Sequence, residues 1–198
     1  MNLVLRETSA NCIEMIRSLP MVKSCESYGS IANNTEDDLS DIDIRVDVSG
    51  YDNGRFMLEV PHLLEEKMNI IYSDFAPSLA PRQYIVSLAV SEENPFAVID
   101  INCVAEPHCA TVFKEQMEND LFSHTLKVWV ANLKHYIRGT DCRDDIIRMA
   151  KRLHIRHIQM KSETELLEET LRLLEDMQTD RFYKYVSSCR KKFEELVL

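Results

Sequence analysis

The pattern of hydrophobic and polar positions divides the chain into a first half of mixed texture and a second half of long helical stretches. Over "LVLRETSANCIEMIRSL", residues 3–19, Val4, Leu5, Cys12, Ile13, Ile16 and Leu19 fall largely on one stripe at helical spacing, and Pro20 stops it. "MVKSCESYGS" reads as a short strand running into Gly29. "DIDIRVDV", residues 41–48, alternates polar and apolar without a break, as a half-buried strand does. "RFMLEVPHLLEEKM" predicts a helix in which Pro61 marks either the first turn or a kink. Three strand-like runs follow, "NIIYSDF", "QYIVSLAV" and "FAVIDINCV", and "SEENP" between the last two suits a hairpin loop.

From Thr111 onward helical periodicity extends over 112–137, 144–160 and 163–197; Gly139 is the only glycine beyond that point and Pro107 the last proline. The pattern therefore predicts an α+β protein. An N-terminal mixed β-sheet with flanking helices occupies residues 1–110, and an α-helical bundle occupies 111–198. Trp129 sits on an apolar helical stripe and reads as core rather than as a base-stacking residue. Arg152 and His157, five apart, would lie about 140° apart on one helix and would not converge on a substrate.

Composition narrows the classes. With 45% hydrophobic and 28% charged residues the chain folds around a core. A net charge of -10 argues against gripping a nucleic-acid backbone and suits a small or cationic ligand. No apolar run is long enough to span a bilayer, and the first residues lack a basic segment followed by an apolar one, so the cytoplasm is the expected compartment. Six cysteines (Cys12, Cys25, Cys103, Cys109, Cys142 and Cys189) form no CxxC pair and read as reduced packing residues. Cys103, His108 and Cys109 lie close in sequence but lack the second ligand pair a structural zinc site requires.

The candidate chemistry lies in "YGSIANNTEDDLSDIDIRVDV", residues 28–48. Residues two apart in a strand share a face, so Asp41 and Asp43 project together while Ile42 and Ile44 enter the core. Two aspartates and a phosphorylated substrate are what hard Mg²⁺ favours, and a third carboxylate from another strand would complete the set. Asp100 in "VIDINC" is that candidate, as ligand or base, because a carboxylate among Ile99 and Ile101 needs a reason to be there. At Gly29-Ser30 a bare Cα lets backbone N–H groups approach a phosphate, a helix beginning at Ser30 would aim its positive end there, and the hydroxyl adds a donor. Each piece alone has a plain structural reading: Gly-Ser as a turn, Asp-x-Asp as a solvated edge, Asp100 as a backbone cap. Their order and spacing together are specific.

Gly29, Ser30, Ala32, Ser40, Asp41 and Asp43 resemble the signature of the DNA polymerase β superfamily of nucleotidyltransferases, in its small antibiotic-modifying (aminoglycoside and lincosamide) and minimal nucleotidyltransferase branch; the resemblance covers residues 20 to about 105. It implies a mixed sheet with helices on one face, Mg²⁺ held by catalytic Asp41, Asp43 and Asp100, and an NTP at Gly29, Ser30 and Ser40. The implied reaction moves a nucleoside monophosphate, from ATP in the leading reading, to a hydroxyl of a small molecule such as an aminoglycoside-type antibiotic, which would make the protein a resistance enzyme. The alternative is an antitoxin-like or regulatory member that acts on or binds a protein partner; oligomeric state stays open. One departure stands out. Relatives often carry a basic residue after Gly-Ser, whereas "IANNTEDDLS" has none and adds Glu36, Asp37 and Asp38. Three carboxylates and two Mg²⁺ leave about one positive charge against roughly four negative ones on the nucleotide. Lys127, Lys134, Arg138, Lys151 and Arg152 are candidates to supply the rest.

Overall fold

The computed structural model describes residues 2–76, 84–104, 111–112 and 116–198. Their Cα atoms group into two units: the described residues of Met1–Ser91 and Ala97–Asn119, and Glu92–Phe96 with Asp120–Leu198.

In the first unit the alternating stretches form strands β1 (Ser24–Tyr28), β2 (Ile42–Asp47), β3 (Tyr72–Phe75), β4 (Tyr84–Ala89) and β5 (Val98–Val104), in the sheet order β1-β2-β5-β4-β3. Neighbours run antiparallel except β2 and β5, which are parallel. Parallel neighbours need a long crossover, and the chain from Val48 to Ala97 supplies it. Ile42, Ile44 and Val46, Ile99, Ile101 and Cys103, and Val86 and Leu88 turn to one face. There they are buried with Leu5, Cys12 and Ile16 of α1 (Leu3–Arg17) and Phe56, Met57, Val60 and Leu64 of α3 (Asn53–Glu65). Between β1 and β2 lies α2 (Gly29–Ala32), a single turn.

Pro61 neither begins nor ends α3. The helix starts at Asn53, where the Asp52 side chain accepts from Arg55 N, and Pro61 lies in its third turn. The ring removes one backbone bond, but the buried stripe of Phe56, Met57, Val60 and Leu64 holds the helix across it.

The second unit comprises α4 (Leu121–Ile137), α5 (Arg143–Arg152), a 3₁₀ turn (Ile158–Met160), α6 (Glu163–Met177) and α7 (Tyr183–Val197). Trp129 is fully buried, donates to Leu167 O at 2.8 Å and lies 6.2 Å from the Phe193 ring. Tyr185 donates to Pro95 O, which ties Glu92–Phe96 to these helices.

Three helical stretches are shorter than periodicity predicts. Residues before Leu121 are not part of α4, because Asp120 caps it by accepting from Ser123 N, while Asn119 pairs through its side chain with both Phe75 N and Phe75 O on β3. The stretch 144–160 ends its helix at Arg152; His154 and His157 take left-handed conformations and turn Ile155 inward. Arg152 and His157 therefore do not share a helix, since α5 ends at Arg152 and His157 follows a left-handed residue at His154. The stretch 163–197 breaks into α6 and α7 at a turn in which Phe182 N donates to Thr179 O. Among the described residues no helix is long and apolar enough to cross a membrane.

Candidate active site

The face of the first unit's sheet opposite α1 and α3 carries a polar row. Register fixes it: Tyr28 of β1 partners Asp43 of β2, Asp43 partners Asp100 of β5, Asp100 partners Ser87 of β4, and Ser87 partners Asp74 of β3. Adjacent strands lie about 4.8 Å apart, so Asp43 and Asp100 are immediate neighbours on one face. Ser87 donates to Asp100 Oδ1 at 2.5 Å and so fixes that carboxylate. Asp100 is half-buried among Asp43, Ser87 and Asn102 rather than enclosed by apolar side chains, because Ile99 and Ile101 point to the opposite face. Asp41 is half-buried and immediately precedes β2.

Gly29 is shaped around Asp43. Its φ of +66° lies in the left-handed region, and a Cβ built on it would sit 2.0 Å from Asp43 Oδ2. The bare Cα lets the carboxylate pack against the turn that begins α2. That helix has four residues rather than a length over which peptide dipoles add, so the element that begins at Gly29 is a turn and not a helix end. Ser30 Oγ is buried and has no hydrogen-bond partner among the described residues. Ser40 Oγ, in contrast, donates to Asp37 Oδ1 at 2.8 Å and accepts from Asp37 N at 2.9 Å, so its hydroxyl is engaged within the loop leading to Asp41.

The acidic loop is less negative than its sequence. Glu36 is buried, its side chain 1% exposed, and receives both prongs of the Arg6 guanidinium, Nε to Oε1 and Nη2 to Oε2, at 2.7 Å each. That bond holds the Glu36 carboxyl well below the usual range, at about 2. Arg6 also donates to Asn34 Oδ1, and Asn2 donates through its side chain to Asp38 Oδ1. The loop is stapled to the start of α1 across roughly thirty positions of sequence, a separation that hides the pairing from periodicity.

Residues that motif reasoning passed over stand on the same face. Arg45 is two past Asp43 and partners Asn102, which is two past Asp100. Its guanidinium carbon lies 5.0 Å from the Tyr28 ring centroid, and the Tyr28 hydroxyl is hydrogen-bonded to the Asn102 side chain. Burial raises the Tyr28 phenol above its ordinary value; the Asn102 bond opposes this and the charges of Asp43 and Asp100 add to it. The alternation in "DIDIRVD" was itself the available signal for Arg45.

The set offers a hard divalent cation a pair of carboxylates. Among the described residues no three Asp, Glu, His or Cys side chains form a ready-made metal cage, so the three-carboxylate trap expected from sequence is not preformed. The register supplies a pair, Asp43 and Asp100. Mg²⁺ commonly binds through one or two carboxylates with the remaining positions taken by substrate phosphate and water, and all donors at this face are oxygens. Thiol chemistry does not compete. Burial pushes Cys12 and Cys103 up to about 12 and Cys25 to about 11, which keeps them protonated and inert. The five described cysteines are buried free thiols, and His108 and Cys109 lie outside the described residues. A groove of about 590 Å³ is lined by residues of α1, Asn11, Glu14 and Met15 among them, and by Lys67 and Asn69, and includes none of Asp41, Asp43 and Asp100.

No protein-family profile matches the chain, and no curated protein matches it. Among solved structures it is similar to the polymerase core of TRAMP, an RNA surveillance complex, with a TM-score of 0.39 and 11% identity over 98% of this chain and 56% of that one. The chain thus spans little more than half the length of that structure.

Proposed function

We propose that the protein is a Mg²⁺-dependent nucleotidyltransferase that transfers a nucleoside monophosphate from an NTP, with ATP the first donor to test, to a hydroxyl of a small molecule. The observation that carries this reading is the pairing of Asp43 with Asp100 across parallel strands, with Gly29 fitted against Asp43. A carboxylate pair beside a turn that bares its backbone is what phosphoryl transfer requires of a protein: positions for a polyphosphate and a group to take a proton.

Asp43 and Asp100, with Asp41, would hold the cation, which when bound would neutralise phosphate charge and bring nucleophile and phosphorus together. The chain's own groups do the rest. Gly29 leaves space for phosphate oxygens at the turn, and Ser30 Oγ, which lacks a protein partner among the described residues, donates to one of them. Asp100, oriented by Ser87, takes the proton of the acceptor hydroxyl. The acceptor oxygen bonds to the α-phosphorus, the bond from that phosphorus to the bridging oxygen breaks, and pyrophosphate leaves.

The test is pyrophosphate release from each NTP with Mg²⁺ across a panel running from aminoglycoside-type antibiotics to sugars and nucleosides, comparing the native protein with Asp43→Asn. Release that depends on both acceptor and Asp43 supports the reading; equal rates in the two proteins defeat it.

A further inference from the structure

Arg45 is the only lysine or arginine in the five strands, and it stands on the carboxylate face. Its surroundings are built rather than incidental. The guanidinium lies over the Tyr28 ring, Tyr28 is hydrogen-bonded to Asn102, and Asn102 is the residue directly across from Arg45. Asn102 is 4% exposed, yet its Oδ1 has no hydrogen-bond partner among the described residues. A buried carbonyl oxygen without a donor is costly, and a ligand's O–H would relieve it. The Arg45 side chain remains 52% exposed, and its contact with Glu26 is 4.0 Å between two exposed groups, which leaves the guanidinium available.

The position of this cluster says which substrate it meets. Beyond Tyr28 the chain passes Gly29 and Ser30 alongside the start of β2, whereas Arg45 and Asn102 lie one step the other way from Asp43 and Asp100. The carboxylate pair thus has a phosphate-facing turn on one side and a guanidinium with an unsatisfied amide oxygen on the other. With donor phosphates at the turn, the molecule on the far side is the acceptor. A guanidinium held over a ring presents its N–H fork to phosphate oxygens, and the amide oxygen takes a hydroxyl proton.

We propose that Tyr28, Arg45 and Asn102 form the acceptor subsite and that it selects an acceptor bearing a phosphate beside its free hydroxyls. The proposal rests on the nucleotidyltransferase reading and favours this chemistry over a polycationic antibiotic. The same phosphate-and-hydroxyl chemistry occurs in a sugar phosphate and in the end of an oligoribonucleotide.

The test measures binding and turnover separately. Ribose, ribose 5-phosphate, kanamycin and a ribodinucleotide are titrated by calorimetry into the native protein, Arg45→Ala, Arg45→Lys and Tyr28→Phe, alongside ATP with Mg²⁺. The expected result is that ribose 5-phosphate or the dinucleotide binds at least about tenfold tighter than ribose and kanamycin. Arg45→Ala removes that preference with ATP affinity unchanged, and Arg45→Lys keeps part of it. Preference for the dinucleotide over ribose 5-phosphate assigns the source to an oligonucleotide end. Equal affinities for ribose and both phosphorylated probes, or a preference that survives in Arg45→Ala, overturns the subsite. If Asp43-dependent pyrophosphate release proceeds without phosphate preference, transfer stands and the subsite falls. If Arg45-dependent phosphate binding occurs without release for any acceptor, the acceptor role is overturned along with the transfer reading.

Discussion

Asp43 on β2 and Asp100 on β5 are directly paired residues of a parallel ladder, with Ser87 hydrogen-bonded to the second of them. Two like charges at strand spacing repel each other in the absence of a cation, and a bound cation relieves that repulsion. Asp43→Asn and Asp100→Asn should each abolish most of the proposed nucleotidyl transfer, and the double variant should be no slower than the slower single one, because in that reading the two act as a unit. Neither variant should melt below the native protein. Multiplicative losses in rate, or a marked fall in melting temperature, would show that the two carboxylates are independent structural groups.

Gly29 is held by two separate requirements, a left-handed backbone and the space occupied by Asp43 Oδ2. Gly139 shares the first, with φ of +67° and nothing within 4 Å of where a Cβ would stand, and lacks the second. Gly139→Ala should therefore cost about 1–2 kcal/mol for the backbone alone. Gly29→Ala should cost more, and it should also weaken NTP binding as the carboxylate is displaced. Denaturant unfolding of the two variants provides the comparison; equal losses would mean that the contact with Asp43 relaxes freely.

Much of this was legible because strand alternation is a local rule. The period of two in "DIDIRVDV" put Asp43 on one face and Ile42 and Ile44 on the other, as found, and the same period carries Arg45, which was not singled out, to the Asp43 face. The same rule applied to "VIDINCV" assigns Asp100 and Asn102 to the polar face, although the flanking isoleucines had suggested apolar surroundings for Asp100. Pairing across sequence was not legible. Arg6 neutralises Glu36 from about thirty residues away, and Ser87 reaches Asp100 only through β-sheet register. The break between α6 and α7 was hidden for another reason: Leu174 and Tyr185, both buried, are about three helical turns apart, so the apolar phase continues across the interruption.

Asp52 links two segments that periodicity treats separately. Its carboxylate caps α3 through Arg55 N and also accepts from the backbone and hydroxyl of Thr111. Asp52→Ala should destabilise the protein by about 1–2 kcal/mol, toward the upper end of the range for a helix cap, because the Thr111 bonds go with it. Thr111→Val removes only the hydroxyl bond and should cost less. The two losses should not add in the double variant, since both act on one carboxylate; additive unfolding free energies would contradict the shared role.

The Arg6–Glu36 pair makes acid stability a readout of the loop that leads to Asp41. Glu36 has a folded value of about 2, below that of an unpaired glutamate in the unfolded chain. A depressed carboxyl contributes stability that is fully present above its unfolded value, near 4.3, and that disappears as pH falls from there through about 2. Glu36→Gln should therefore flatten the difference in stability between pH 5 and pH 2.5 relative to the native protein, while reducing stability at pH 7, where Arg6 loses its counter-charge. Arg6→Gln should lower stability at pH 7 as well, because it leaves Glu36 buried without its counter-charge. Denaturant midpoints measured across that pH window decide the matter: parallel native and Glu36→Gln profiles would mean that the pair does not hold the loop in solution, and the geometry of Ser40 and Asp41 would then need another support.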